Sequence, residues 1–290
     1  MTISEGRAAG HDVELAYLEA GSGPLALCLH GFPDSPHTWR HLLPALADAG
    51  YRAVAPYLRG YAPSDVAGDG CYQTAALALD ACALHESLGG GDDAVIIGHD
   101  WGAMATYIAA NHEPERWRKV VTMAVPPAAA VAGGFLTYDQ LQRSWYMFFF
   151  QHPLADMVVP MDDLSFIDRL WADWSPGYDA SDDLPAVKDC LRDPANLSAA
   201  LGYYRATLSG VGVAPALDAV QAKGNEVTAQ PTLYLHGRTD GCMGLEVAEG
   251  ATASLTSPGS RMEVVDDAGH FLHVERPDHV NALILDFLAE

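Results

Sequence analysis

The chain of 290 residues predicts an α/β fold, with a mostly parallel sheet covered by helices on both faces and a helical segment inserted into it. Two observations carry this expectation. Apolar runs of strand length alternate with helical patterns, as buried parallel strands and their crossover helices do. The alternation stops between about residues 127 and 228, where aromatic-rich helical segments follow one another, and then resumes.

In chain order, PLALCLHG (24–31) is a strand run and HTWRHLLPALADAG (37–50) a helix closed by Gly50. YRAVAPY (51–57) is a strand, and QTAALALDACALHESLGGG (73–91) is a helix ending in glycines. DAVIIGH (93–99) and RKVVTMAVP (118–126) are further strands. Residues 127–227 contain DQLQRSWYMFFFQHP, SFIDRLWADW and LPAVKDCLRDPANLSAALGYYRATLSG, all helical in pattern. PTLYLHG (231–237) and RMEVVDD (261–267) return to strands, and PDHVNALILDFLAE (277–290) is a helix with proline near its first turn. The expected organisation is a core of residues 1–126 and 228–290, with 127–227 as a helical lid over the carboxyl ends of the strands, where such sheets place ligands.

Composition narrows the function classes. Only 16 Lys and Arg stand against 38 Asp and Glu, a net charge of −22. The acids are spread along the chain, so nucleic acid and anionic membranes, which need basic patches, are not expected partners. The N-terminal stretch lacks the pattern of a signal peptide, and no apolar run approaches the ~20 residues that span a bilayer. Cys28, Cys71, Cys82, Cys190 and Cys242 are scattered and never form C-x-x-C, which disfavours a disulfide framework or zinc knuckle. A cytoplasmic location is the default expectation, as a monomer or homodimer.

The chemistry begins at DAVIIGHDWGAM (93–104), where an apolar strand runs into G-x-D-x-G and out into a helical pattern. This is the form of a nucleophile elbow: glycines remove Cβ clashes at a sharp turn, and the residue between them projects above the sheet. That residue is Asp100, where serine hydrolases carry an alcohol. An aspartate merely capping the next helix is the other reading. LYLHGRTDGCM (233–243) sets Asp240 after a strand, and VVDDAGHFLHVERPD (264–278) sets His270 in the loop after the last one. The order nucleophile, acid, histidine is that of an α/β-hydrolase triad, in which Asp240 would orient the imidazole. Asp240 as a plain turn residue, and Asp266 or Asp267 as the acid, stay open. HGFPDSPHTWR (30–40) follows a strand as an oxyanion loop does, making the backbone N–H groups of Phe32 and Trp101 candidate donors.

A carboxylate nucleophile redirects the chemistry. Attack on a carbonyl would give an anhydride, whereas attack on an sp³ carbon bearing a leaving group gives an ester on the enzyme. His270 would then activate water to hydrolyse that ester, with the oxyanion hole holding the tetrahedral intermediate. Two leaving groups suit this: a halide, which needs hydrogen-bond donors, and an epoxide oxygen, which needs an acid.

HGFPDSPHTWR, APYLRGYAPSD (55–65), GHDWGA (98–103) and AGHFLHVERP (268–277) together resemble the α/β-hydrolase-fold epoxide hydrolases over nearly the whole chain. The haloalkane dehalogenases, which share the H-D-W-G elbow, are close relatives of that family. Tyr57 departs from its usual aspartate and Ala62 from its usual glycine. The resemblance implies an α/β-hydrolase fold with the lid inserted after the sixth strand, and two lid tyrosines acting as the acid. By position these are Tyr146 in SWYMFFFQHP and Tyr204 in GYYRA, with Tyr203 the competitor for the second. A neutral phenol, of ordinary pKa about 10, hydrogen-bonds the epoxide oxygen and yields its proton as alkoxide forms. Trp101, Phe32 and Phe149 are expected at the substrate, and His99 behind the elbow. The partners implied are a small apolar epoxide and water. No cofactor and no metal are expected, because the His270-x-x-His273 pair lacks a third ligand at helical spacing. The alternatives are a haloalkane dehalogenase using the same nucleophile and a non-catalytic ligand-binding protein on the same fold.

Overall fold

Eight strands form one sheet in the computed structural model, which describes residues 2–290. They are β1 (Ser4–Ala9), β2 (Glu14–Gly21), β3 (Leu25–Leu29), β4 (Arg52–Pro56), β5 (Val95–His99), β6 (Lys119–Met123), β7 (Thr232–Gly237) and β8 (Arg261–Val265). Their order across the sheet is β1-β2-β4-β3-β5-β6-β7-β8. From β4 to β8 all neighbours are parallel, while β2 runs antiparallel to both β1 and β4. Sequence reading finds the six parallel strands and misses the β1–β2 hairpin. The reason is burial: β1 reads SEGRAA and lies exposed at the sheet edge, so it carries no apolar run to recognise.

The helices are α1 (Leu42–Asp48), α2 (Thr74–Ser87) and α3 (Trp101–His112), followed between β6 and β7 by an unbroken helical series. That series comprises α4 (Ala128–Gly134), α5 (Tyr138–Arg143), α6 (Trp145–Phe149), α7 (Ala155–Val158), α8 (Met161–Trp174), α9 (Leu184–Leu191), α10 (Pro194–Ser209) and α11 (Asp218–Gln221). The short α12 (Leu245–Ala248) follows β7, and α13 (Leu272–Glu275) and α14 (Pro277–Ala289) close the described chain.

Alternate residues of each strand serve opposite faces of the sheet. Ala26, Cys28, Val95, Ile97, Val121 and Leu235 pack with Leu43 and Leu46 of α1 and with Ile284 and Phe287 of α14. Leu25, Leu27, Leu29, Ile96 and Val120 face the other way, with Leu77 and Leu84 of α2 and Ile108 of α3. This two-sided burial is why the strands read as continuous apolar runs. Among the described residues, no helix is long and apolar enough to cross a membrane.

The inserted helices sit on the loops that leave the carboxyl ends of β3 and β4. Trp171 of α8 donates its indole N–H to the Pro33 carbonyl (2.8 Å), and Asn196 of α10 donates to the Gly60 carbonyl (2.8 Å). Tyr203 of α10 donates to the Arg59 carbonyl (2.7 Å), and Arg40 pairs with Asp183.

Candidate active site

The turn between β5 and α3 holds Asp100 at φ 53°, ψ −119°, a conformation that a non-glycine residue rarely adopts. The flanking glycines are required by close backbone approach. A Cβ on Gly98 would lie 2.3 Å from the Gly102 carbonyl oxygen, and one on Gly102 would lie 2.2 Å from the Leu29 carbonyl oxygen. Asp100 occupies the cap position of α3, yet its side chain makes no capping hydrogen bond. Its Oδ1 instead accepts from the Phe32 amide at 2.8 Å, while Trp101 supplies the first amide of α3.

His270 lies in the loop between β8 and α13, fully buried. Its Nδ1 donates to Asp240 Oδ2 at 3.0 Å, and its Nε2 has no hydrogen-bond partner and faces Asp100 Oδ2 at 3.7 Å. In the neutral imidazole the Nδ1 contact fixes the tautomer whose lone pair is on Nε2, towards Asp100. Asp240 Oδ1 accepts from the amides of Cys242 (2.7 Å) and Met243 (2.9 Å), so the TDG turn and the histidine contact use the two oxygens of one carboxylate. Asp266 is an exposed partner of Arg238, and Asp267 is an exposed partner of Arg276. Burial works against charge on both members of the His270–Asp240 pair. Their mutual attraction outweighs it, holding His270 well above the usual imidazole range and Asp240 below the usual carboxylate range.

Two phenols from the inserted helices close the site. Tyr146 of α6 has its hydroxyl 3.3 Å from Cys242 Sγ. Tyr204 of α10 packs edge-on against Trp101, with ring centroids 4.9 Å apart, and against Tyr146 at 5.6 Å. The Tyr204 hydroxyl and Trp101 Nε1 are buried without a partner. Burial raises both phenols well above their ordinary range and keeps them neutral donors. Tyr203 points away, its hydroxyl spent on Arg59, since neighbours on a helix diverge by about 100°. A cavity of about 200 Å³ joins Asp100, Trp101, Tyr146, Tyr204 and Cys242, with Met104, Val125, Val131, Phe135 and Leu208 among its apolar walls.

Comparisons with known proteins show the family of the chain. A family model described as the alpha/beta hydrolase fold matches residues 24–277. The chain is 33% identical to mouse epoxide hydrolase 4 over 285 residues, which cover 94% of this chain and 76% of that one. It is 30% identical to epoxide hydrolase A of Mycobacterium tuberculosis, covering 95% of this chain and 94% of the relative. The chain belongs to the α/β-hydrolase-fold epoxide hydrolases. Among solved structures, epoxide hydrolase A of Mycobacterium thermoresistibile superposes with a TM-score of 0.82 at 28% identity, over 99% of this chain and 98% of that one.

Two expectations for this epoxide hydrolase relative require correction in position. Phe149 does not reach the cavity: it stacks on Phe166 of α8, with centroids 5.8 Å apart, because the turn of α6 that aims Tyr146 inwards aims Phe149 at the neighbouring helix. The ring of Phe32 lies behind Tyr204 (5.1 Å) and beside Phe150 (5.6 Å), supporting the phenol rather than lining the cavity. Sequence reading also passed over Cys242, although its place two residues after Asp240 is a usable signal. Two histidines hold the loops. His30 donates to the Gly31 carbonyl and accepts from the Leu58 amide, and His99 Nε2 donates to the His270 carbonyl at 2.9 Å.

Proposed function

We propose that this chain opens an epoxide to a vicinal diol through a covalent ester on Asp100. The observation that carries the reading is the convergence of one carboxylate and two neutral phenols on a single, largely apolar cavity, with the free Nε2 of His270 facing that carboxylate at 3.7 Å. Relatives bearing the name epoxide hydrolase support it. The apolar walls suit an apolar epoxide with water as co-substrate, and residues 127–227 act as its lid.

In the first step Asp100 Oδ2 attacks an epoxide carbon and the ring C–O bond breaks. Tyr146 and Tyr204 hydrogen-bond the departing oxygen, and one of them passes its proton to the alkoxide. Asp100 Oδ1 stays against the Phe32 amide, ready to carry the later negative charge. Before the second step His270 gives up its proton, which returns the tyrosinate to a phenol, and its Nε2 then takes a proton from water, whose oxygen attacks the ester carbonyl carbon. The tetrahedral oxyanion, held by the amides of Phe32 and Trp101, then collapses: the ester C–O bond breaks, the departing alkoxide takes the proton of the new hydroxyl and leaves as the diol, and Asp100 returns to carboxylate beside protonated His270. Esterification removes the Asp100 charge that helps keep His270 protonated, so the imidazole becomes a better base when the base is needed.

Styrene oxide and a bromoalkane tested side by side decide the leaving group. Diol without halide release is the expected outcome. Halide release without diol would make the chain a dehalogenase, and binding without turnover of either class would make it a non-catalytic receptor.

A further inference from the structure

The thiol of Cys242 is left unused by the proposed reaction. It is buried against the Tyr146 hydroxyl and lies on the floor of the site. A carboxylate oxygen of Asp100, a ring nitrogen of His270 and the sulfur of Cys242 all lie within 4.8 Å of one another. Of these, His270 Nε2 has no partner and faces Asp100 Oδ2 at 3.7 Å.

We propose that Asp100, His270 and Cys242 form an inhibitory site for a thiophilic divalent cation such as Zn²⁺ or Cd²⁺, occupying the atoms that the reaction needs. Bond lengths of about 2.0–2.3 Å to nitrogen, oxygen and sulfur place the ligands of a tetrahedral zinc about 3.3–3.8 Å apart. The 3.7 Å between His270 and Asp100 falls in that range. The sulfur needs a shift of no more than about an ångström to join them, and the metal binds as the Cys242 thiol proton and the His270 Nε2 proton leave to solvent.

The surroundings match what such a cation requires. His270 Nδ1 is held by Asp240, the carboxylate–histidine–metal arrangement that fixes the ring and raises its basicity as a ligand. Asp240 is in turn anchored by two amides, so the support is rigid. A fourth coordination position opens into the cavity, where water would sit. The sulfur sets the preference: thiolate and imidazole favour zinc and cadmium over magnesium. A bound cation takes the lone pair with which His270 would activate water and ties up the Asp100 carboxylate, so it competes with substrate.

Cobalt supplies a test that does not depend on turnover and so stays separate from the epoxide reading. Adding Co²⁺ to the full chain should produce the thiolate-to-cobalt charge-transfer absorption at one cation per chain, displaced by Zn²⁺ and unaffected by Mg²⁺. The band should vanish in both Cys242→Ala and Cys242→Ser, with folding of each checked by thermal unfolding. In the diol assay, Zn²⁺ should inhibit the parent chain, and Cys242→Ala should need at least tenfold more Zn²⁺ for the same fractional loss of its own metal-free rate. Absence of the band, its survival in the variants, or equal inhibition of parent and variant would overturn the proposal. Equal inhibition would move the cation elsewhere, for example to Asp34, His99 and His273, a second buried cluster that lacks sulfur.

Discussion

In the proposed mechanism Tyr146 and Tyr204 carry the distinction between an oxygen and a halide leaving group. General acids contribute ~10²–10⁴-fold to such steps. Because two phenols share one oxygen, Tyr146→Phe or Tyr204→Phe alone should lower kcat/KM on styrene oxide about tenfold or more, and the double variant by about 10³. Tyr203→Phe should leave the chemical step intact, since its hydroxyl serves the Arg59 carbonyl. His30 makes a separate prediction about stability. Burial outweighs its bond to Gly31 and the nearby Asp100 charge, lowering its pKa from 6.5 to about 4. The unfolded chain therefore takes up this proton first as pH falls, so the contribution is complete above pH 6.5 and lost on the way down to about 4. Denaturant unfolding of His30→Gln across that window should lack about one proton of pH dependence, a slope of ~1.4 kcal/mol per pH unit. An unchanged slope would place the acid sensitivity elsewhere.

At the level of elements, the loop after β4 is tied into the protein by Arg59. Its guanidinium meets both oxygens of Asp80 on α2 (2.7 and 2.8 Å) while fully buried, and it stays charged because of that carboxylate. Its own carbonyl receives Tyr203 of α10, so one residue joins loop, core helix and inserted helix. Asp80→Ala strands a buried cation, and a loss of about 3–5 kcal/mol in chemical unfolding is predicted. A loss under about 1 kcal/mol, typical of exposed pairs, would show that water reaches the guanidinium. Legibility follows burial at this scale. Strands β3 to β7 are readable because both faces are covered, whereas the largely exposed β1 is not. The inserted helices were readable as helices, but not the direction of each side chain. Tyr203 and Tyr204 are separated only by which way α10 turns them, and Phe149 was misplaced for the same reason on α6.

Over the whole molecule, the proposed machinery is assembled from distant parts of the chain at the carboxyl ends of the strands. Asp100 follows β5, Asp240 follows β7, His270 follows β8, and the phenols descend from α6 and α10. The sequence order of these residues was informative because each loop leaves a carboxyl strand end, where open sheets gather their ligands. Contacts between residues far apart in the chain, such as Cys242 with Tyr146 or His99 with the His270 carbonyl, carry no local pattern and became visible only in three dimensions. The account depends most on Asp100 forming the covalent bond. A single turnover of styrene oxide by excess enzyme in ¹⁸O-water tests this directly, with mass spectrometry of both the diol and the peptide containing Asp100. The account predicts label in the Asp100 carboxylate and none in the diol, whereas label in the first diol released, with Asp100 unlabelled, would contradict it.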